Sequence, residues 1–575
     1  MKYTEIVNQN RKLKPNPSEL PFKIKILSNV IVHQLNEILE YNLRIEGVPA
    51  EVSSGNYDNI MQDIIRCNDS QVIIIFWELC NLTDGLYFQL ENFRNKQISL
   101  IEEKLKSEIK YIKNNINKES MIYINRFTAM PFSNHSYEDN KLDSLSKELN
   151  KYLEKFMIGN INLVDIENII ASVGFNNTYN YRDFYSSKIL YKPEYFKKYA
   201  EIIKYPILSN IGKLKKAIIF DCDNTLWKGI LGEDGFDNIE MSHETRSGFI
   251  FAEIQNIALS LSKRGVIICI CSKNNPEDID QVLNEHKNMI LKDKFITIKK
   301  VNWRDKASNI RLIAEELNIG LDSLVFVDDS SFEINLIKDK LPEVRTIQVP
   351  ENLYQYPKKI RENLGLFYNA DNTKEDYERL KMYNDQKKRN FTRKSFNELE
   401  DYLRSLKLSM IIKLNSKKDI KRISQLSQKT NQFNLTTKRY KESDIKIFMD
   451  DLNFDVITIS LKDKFGDYGI TGLSIIKCNK DSQHVIIDTF LLSCRIIGRN
   501  VEFVFFDFLI DFLKRKKIKT LETNFFKTKK NDQVKNFYDS CSLERTVSDK
   551  INTKYFLDLK KYKSKKITYI EVING

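Results

Sequence analysis

The chain is expected to be a multidomain α/β protein, and three observations lead there. Its 575 residues exceed what one hydrophobic core supports, because single cores stop growing at roughly 250–300 residues. Two separate stretches alternate short apolar runs with helical patterns, as parallel strands joined by helices do. A third stretch, near the end, mixes strands and helices in an α+β pattern.

In the first zone, residues 23–30 (KIKILSNV) read as a strand running into a loop, with a helical pattern over 32–43. Val72-Ile73-Ile74-Ile75-Phe76 is a continuous apolar run, which suits a strand buried on both faces. Residues 86–116 carry a long amphipathic helix with charges interspersed. This zone is placed at residues 1–212.

The second zone, 213–351, repeats the alternation more clearly. Strands are expected at 217–220, 266–271, 295–299 and 324–327, and helices fill the gaps, including 245–264 and 305–317. Residues 352–400 are charged and helical in pattern with few large apolar clusters, as in TKEDYERLKMYNDQKKRN, and read as a helical connector. The last zone, 401–575, has strands at 456–461, 469–477 and 484–492 and helices at 501–514 and 532–540. It shows neither an internal repeat nor a low-complexity tail.

Composition narrows the functional classes. The net charge of +13 comes from 91 Lys and Arg against 78 Asp and Glu, dispersed among Asn and Ile. A dispersed excess reads as a lysine-biased solvated surface, so no nucleic-acid partner is expected. Eight cysteines without a CxxC pair argue against a disulfide framework and a zinc site. His33, His135, His243, His286 and His484 are isolated, which argues against a histidine-rich metal centre. No stretch reaches the roughly 18 apolar residues of a membrane span. The polar start MKYTEIVNQNRKLK lacks a signal-peptide core. A soluble, cytoplasmic protein with no membrane partner is the expectation.

Chemistry is expected in the second zone. Ile218-Ile219-Phe220 stops on Asp221-Cys222-Asp223, with the hydroxyl of Thr225 close behind. The carboxyl ends of strands are where open α/β sheets place ligands, and two carboxylates there suit magnesium or a phosphoryl group. Ser272 ends the next strand, Lys306 opens a helix, and Asp328-Asp329 end the last strand. Together they supply a nucleophilic carboxylate, a phosphate-binding hydroxyl, a neutralising cation and further carboxylates for a metal.

This ordered set resembles the haloacid dehalogenase (HAD) superfamily. The resemblance implies Asp221 as nucleophile and metal ligand and Asp223 as acid/base and metal ligand. It further implies a phosphate grip of Thr225, Ser272 and Lys306, and Mg2+ held also by Asp328 and Asp329. The gaps between the motifs leave no room for a separate lid domain, so a minimal cap and an open site are expected. The longer strings DCDNTLWKGILGEDG, CSKNNPED, NWRDKASNI and VFVDDSSFE resemble a narrower group, the FkbH-like proteins of HAD subfamily IIIC. Ser330-Ser331 departs from the Asn-Pro more usual there. This resemblance implies an enzyme of polyketide-type or related biosynthesis. It would take a three-carbon acyl group from 1,3-bisphosphoglycerate, remove phosphate and load an acyl carrier protein through its phosphopantetheine thiol.

Cys222 admits two readings. The family implies an enzyme-bound thioester, which a thiolate between the two carboxylates could carry. Equally, its side chain could fill the core, and nearby carboxylates raise a thiol's pKa. Trp227 and Trp303 are expected to pack rather than to bind substrate.

In the last zone, Ser493-Cys494-Arg495-Ile496-Ile497-Gly498-Arg499-Asn500 lies between a strand and a helix. Amides at such a helix start cradle pyrophosphate. With Asn531 and Tyr538 downstream, the loop resembles the RxxGxG/A loop of GNAT acyltransferases, Asn500 being a departure. The resemblance implies a phosphopantetheine or coenzyme A site of Arg495, Gly498, Arg499, Asn500 and Asn531, with Tyr538 as general acid; a docking role is the rival. The first zone resembles SGNH hydrolases, with Ser28 at a strand end and Ser54-Gly55-Asn56 as oxyanion donors. No histidine occurs between His135 and His243 to serve as base, so Ser28 reads as a cap or loop residue. The run 179–185, with Tyr191, is expected to pack this zone onto the next.

Overall fold

The computed structural model describes residues 1–15, 20–67, 69–83, 85–116, 120–132, 140–156, 161–368, 389, 392, 396, 398–478, 483–528, 530–549 and 552–574. It divides into two compact units, Met1–Ile207 and Leu208–Gly575. The multidomain α/β architecture expected from the alternation is present, with two parallel sheets and one mixed sheet.

The first unit is built on five strands: β1 Phe22–Ser28, β2 Ala50–Ser54, β3 Val72–Phe76, β4 Met121–Asn125 and β5 Ile161–Val164. They pair in parallel in the order β2-β1-β3-β4-β5. All five residues of the apolar run in β3 are buried, as a central strand covered on both faces requires. The long helix expected over 86–116 is broken. Leu86–Gln89 and a 3-10 turn Leu90–Asn92 precede Phe93 in extended backbone, and the main helix runs Asn95–Asn115. Of the run 179–185 and Tyr191, Tyr179 and Tyr191 are buried with their rings 5.5 Å apart, and Tyr185 is exposed. Tyr191 and Tyr199 pack 5.6 and 5.1 Å from Phe76 at the end of β3, and Tyr191 stacks on Tyr195 at 4.0 Å.

The second unit holds two sheets. Strands β6 Ala217–Phe220, β7 Ile267–Ser272, β8 Ile298–Val301, β9 Leu324–Asp328 and β10 Arg345–Gln348 form a parallel sheet in the order β10-β9-β6-β7-β8. The helix Arg246–Lys263 starts where the Thr245 hydroxyl accepts the Gly248 amide at 2.9 Å. The strand expected at 295–299 begins three residues later, because Asp293–Phe295 close a 3-10 turn.

The mixed sheet comprises β11 Leu408–Leu414, β12 Phe433–Asn434, β13 Phe454–Asp463, β14 Gly466–Cys478, β15 His484–Leu492, β16 Thr520–Phe526, β17 Glu544–Ser548, β18 Asn552–Asp558 and β19 Ile570–Asn574. Its order is β17-β18-β16-β15-β14-β13-β11-β19, with β12 on β15. The pairs β15–β16 and β11–β19 are parallel and the others antiparallel. Phe490, Phe505 and Phe537 stack in its core. The helix expected at 532–540 is a 3-10 turn, Asp532–Val534, followed by the short Phe537–Ser540. Of the connector expected at 352–400, Tyr356–Glu362 is helical, and most of the remainder lies outside the described residues. Among the described residues no helix is long and apolar enough to cross a membrane.

Candidate active site

The site grows from one register. β6 lies between β7 and β9, and Phe220 pairs with Val327. The next residue, Asp221, donates its amide to the Val327 carbonyl at 3.0 Å, which sets Asp221 beside Asp328 at the carboxyl edge of the sheet. Among the described residues, Asp221, Asp328 and Asp329 form one group whose carboxylate oxygens lie within 4.8 Å of one another. Lys306, the first residue of the helix Lys306–Leu317, points its ammonium at this group. Nζ is 2.6 Å from Asp328 Oδ2 and 3.2 Å from Asp221 Oδ1. Asp305 holds the helix start in place by accepting the Ser308 amide at 2.8 Å.

All three side chains at the centre are buried: Lys306 is 4% exposed, Asp221 6% and Asp328 0%. Burial pushes the Asp328 carboxyl up, and the nearby Asp221 charge adds to it, to about 7. Asp221 and Asp329 also rise, chiefly through burial. For Lys306 burial opposes the charge, yet Asp221 and Asp328 outweigh it and hold the ammonium protonated.

The arrangement fits a magnesium ion. Three carboxylates supply the hard oxygen donors that Mg2+ takes, with their oxygens within 4.8 Å of one another. Asp223, expected as a further ligand, is not in the group. Its Oδ1 accepts Trp227 Nε1 and the Leu231 amide, both at 3.0 Å, and its Oδ2 accepts Asn274 Nδ2 at 2.8 Å. Three donors fix this carboxylate away from the other three.

Ser272 ends β7 beside β6, 2% exposed, and its hydroxyl accepts Asn274 Nδ2 at 3.2 Å. Thr225 is fully buried, and its hydroxyl oxygen has no hydrogen-bond partner. Cys222 is fully buried too, and burial followed by the Asp221 charge drives its thiol well above the ordinary range. Its carbonyl accepts the amides of Thr225 and Leu226, closing the turn after β6. Ser330, where the strings depart from the FkbH-like pattern, caps the helix Ser331–Lys340, and its amide donates to Asp328 Oδ1 at 2.8 Å. No folded lid lies between Asp223 and Thr245, where the chain forms isolated bridges and the four-residue helix Leu231–Asp234.

Sequence reasoning missed two supports. Asn274 joins Asp223 to Ser272, and its place two residues beyond the strand-end serine was the available signal. Tyr356 is buried and donates to the Thr225 carbonyl at 3.1 Å from 131 residues away, which no local pattern shows. Trp227 packs fully buried, whereas Trp303 is 71% exposed and packs little.

The residues expected at the second site do not all converge. Gly498 and Asn500 take positive φ of 81° and 63° ahead of the helix Val501–Arg515, and Arg499 lies 4.8 Å over the Tyr468 ring. Arg495 Nε donates to Ser493 Oγ at 3.2 Å, and Asn500 Nδ2 to Tyr569 at 2.6 Å. Asn531 is fully buried in structural bonds. Its Oδ1 accepts the Thr528 amide at 2.7 Å, and its Nδ2 donates to the carbonyls of Phe526 and Asn434. Tyr538 is buried beneath aromatic rings, bonded to Thr523 at 3.0 Å, and burial drives its phenol above the ordinary range. Both side chains are buried, and their polar atoms are engaged in these bonds.

In the first unit, Ser28 closes a turn on itself: its hydroxyl donates to the Val30 carbonyl at 2.7 Å and accepts the Val30 amide at 3.1 Å. The amides of Gly55 and Asn56 are taken by Ile26 and Asp63. His135 lies outside the described residues.

No protein-family model and no curated protein matches the chain. A crystal structure of the N-terminal part of BF1531 from Bacteroides fragilis, containing a phosphatase domain and complexed with Mg, is similar at TM-score 0.52 and 23% identity. The match covers 64% of this chain and all of that one. At that identity the likeness shows a shared fold. A GNAT-family acetyltransferase structure from Desulfovibrio desulfuricans matches 26% of this chain and 99% of its own at 8% identity and TM-score 0.22. The ribosomal-protein-S18-alanine N-acetyltransferase of Escherichia coli matches 28% and 99% at 9% identity and TM-score 0.21.

Proposed function

We propose that the chain is a magnesium-dependent HAD-type enzyme that takes a phosphorylated three-carbon acyl donor, removes phosphate and loads the acyl group onto an acyl carrier protein. The observation that carries the phosphoryl half is the meeting of Asp221, Asp328, Asp329, Lys306 and Ser272 at the carboxyl ends of β6, β9 and β7. A bound Mg2+ would neutralise phosphate oxygens and favour attack at phosphorus. Asp221 is the nucleophile on the donor's ester phosphate, which leaves the acyl phosphate intact: its oxygen bonds to phosphorus as the bond to the ester oxygen breaks, and water later frees the phosphate and restores the carboxylate. Lys306 and the Ser272 hydroxyl hold the remaining phosphate oxygens. Asp223, kept in one orientation by Trp227, Leu231 and Asn274, supplies the leaving oxygen's proton.

Acyl transfer is a separate step. A thiolate attacks the acyl carbon, and the carbon–oxygen bond to phosphate breaks. The carrier's own phosphopantetheine thiol suits this better than Cys222, whose burial disfavours its thiolate. The loop carrying Arg495, Gly498, Arg499 and Asn500 is the reading's candidate for holding the phosphopantetheine arm, in a GNAT-like acyltransferase zone.

A second reading, a phosphatase acting on a small or carrier-bound phosphate monoester, is favoured by the burial of Cys222 and Tyr538. One incubation separates them: the chain, Mg2+, 1,3-bisphosphoglycerate and a phosphopantetheinylated carrier protein, followed by intact mass of both proteins. A glyceryl adduct on the carrier supports loading. Phosphate release without an adduct leaves the phosphatase, and neither outcome with carrier binding retained leaves a docking scaffold.

A further inference from the structure

A second cation stands beside the Asp221 centre. Lys273 follows Ser272, the last residue of β7, and its Nζ lies 2.6 Å from Oε1 of Glu333 in the first turn of the helix Ser331–Lys340. That helix follows β9, and in the sheet β6 stands between β7 and β9. Neighbouring strands lie about 4.8 Å apart, so the pair links the ends of two strands roughly 10 Å apart, across the end of β6 that leads into Asp221.

The pair also lies on the same side of the sheet as the centre. Ile219, Cys271, Ala307 and Ile334 share one apolar cluster between the sheet and the helices Lys306–Leu317 and Ser331–Lys340. Side chains two apart along a strand share a face, so Asp221 and Lys273 continue the rows of Ile219 and Cys271 toward that side. The ion contacts agree: Lys306 reaches Asp221 from the first of these helices, and Glu333 reaches Lys273 from the second.

Its two ends differ in exposure. The Glu333 side chain is 7% exposed and that of Lys273 37%. Glu333 is fixed within the helix start, where the Ser330 hydroxyl accepts its amide, and the Ser330 amide in turn donates to Asp328 Oδ1. The buried carboxylate therefore anchors the ammonium, and the positive end is the one that meets solvent. An ammonium has three N–H donors, of which the bond to Glu333 uses one. Charge balance at the centre gives the others a use. Mg2+ and Lys306 together carry three positive charges against the carboxylates of Asp221, Asp328 and Asp329, which leaves no surplus to meet a second anionic group on a substrate.

We propose that Lys273 is a specificity-determining contact: its ammonium binds an anionic group at the far end of a three-carbon substrate whose phosphoryl group meets Asp221, and Glu333 positions it. The inference rests on the phosphoryl reading of the Asp221 centre and adds to it a substrate class, short phosphate monoesters that carry a second anion. In that reading the second anion is the acyl phosphate, and a carboxylate on the same carbon offers Lys273 the same chemistry.

The test is calorimetric titration of the full chain with Mg2+ in the Asp221→Asn background, which lacks the nucleophile. It compares 3-phosphoglycerate with glycerol 3-phosphate, three-carbon phosphates that differ by one carboxylate. 3-Phosphoglycerate should bind about tenfold more tightly or better. Lys273→Met alone would leave Glu333 buried without its partner, so the cation is removed in Lys273→Met/Glu333→Gln, with the fold checked by its thermal transition. That double change should erase the preference and leave glycerol 3-phosphate binding within about twofold. The proposal is overturned if both ligands bind the parent equally, if the double change weakens both alike, or if the preference survives it. Binding of neither ligand to the parent would overturn the phosphoryl reading itself, and this proposal with it.

Discussion

Lys306 keeps its charge where burial works against it, because Asp221 and Asp328 lie 3.2 and 2.6 Å away. The dependence is mutual: without the ammonium, two buried carboxylates face each other unpaired. Lys306→Met is expected to destabilise the chain in EDTA by about 3–5 kcal/mol, read from denaturant unfolding. A smaller loss would mean that water already screens the carboxylates. Glu78 makes a pH-dependent case in the first unit. It is buried, and burial pushes its carboxyl up to about 7, against 4.5 when unfolded. Between those values the unfolded chain has released a proton that the folded chain keeps, so stability falls as pH rises through the window. Glu78→Gln removes the loss and should gain on the order of 1–3 kcal/mol over the wild type between pH 4.5 and pH 8. An equal difference at both pH values would contradict it.

At the scale of elements, the site depends on where strands stop and helices start. Asp305 starts the helix Lys306–Leu317, so Asp305→Ala should cost about 1 kcal/mol and lower the rate of phosphate release more than it changes KM, because Lys306 loses its anchor. An unchanged rate would show that the ion pairs alone hold Lys306. Such elements were legible when pattern and burial agree. The apolar runs at β3 and β6 and the strand β15 stand where alternation places them. The failures have local causes. The 86–116 helix breaks where Phe93 turns extended, and β8 starts late behind a 3-10 turn, details that hydrophobic periodicity does not carry. Asp221, Lys306 and Asp328 were legible as residues because each sits at a strand or helix end. The isolation of Asp223 from them was not, because it depends on Asn274 and on the Leu231 amide brought in by the turn after β6. The burial of Tyr538 and Asn531 is likewise a tertiary fact that residue type does not carry.

At the scale of the whole molecule, the second unit joins the carboxylate-and-lysine centre of its parallel sheet and the mixed sheet in one compact body. The central claim is that Asp221 carries out magnesium-dependent phosphoryl chemistry, and the whole chain is the right object to test because both sheets belong to one compact unit. The most direct measurement is phosphate release from 1,3-bisphosphoglycerate by the wild type and by Asp221→Asn, with Mg2+ and with EDTA. Its uncatalysed hydrolysis is subtracted in a protein-free blank. The account predicts release that needs Mg2+ and falls by about 1,000-fold or more in Asp221→Asn, while that variant keeps its thermal transition. Release that persists in EDTA, or that Asp221→Asn retains, would contradict it.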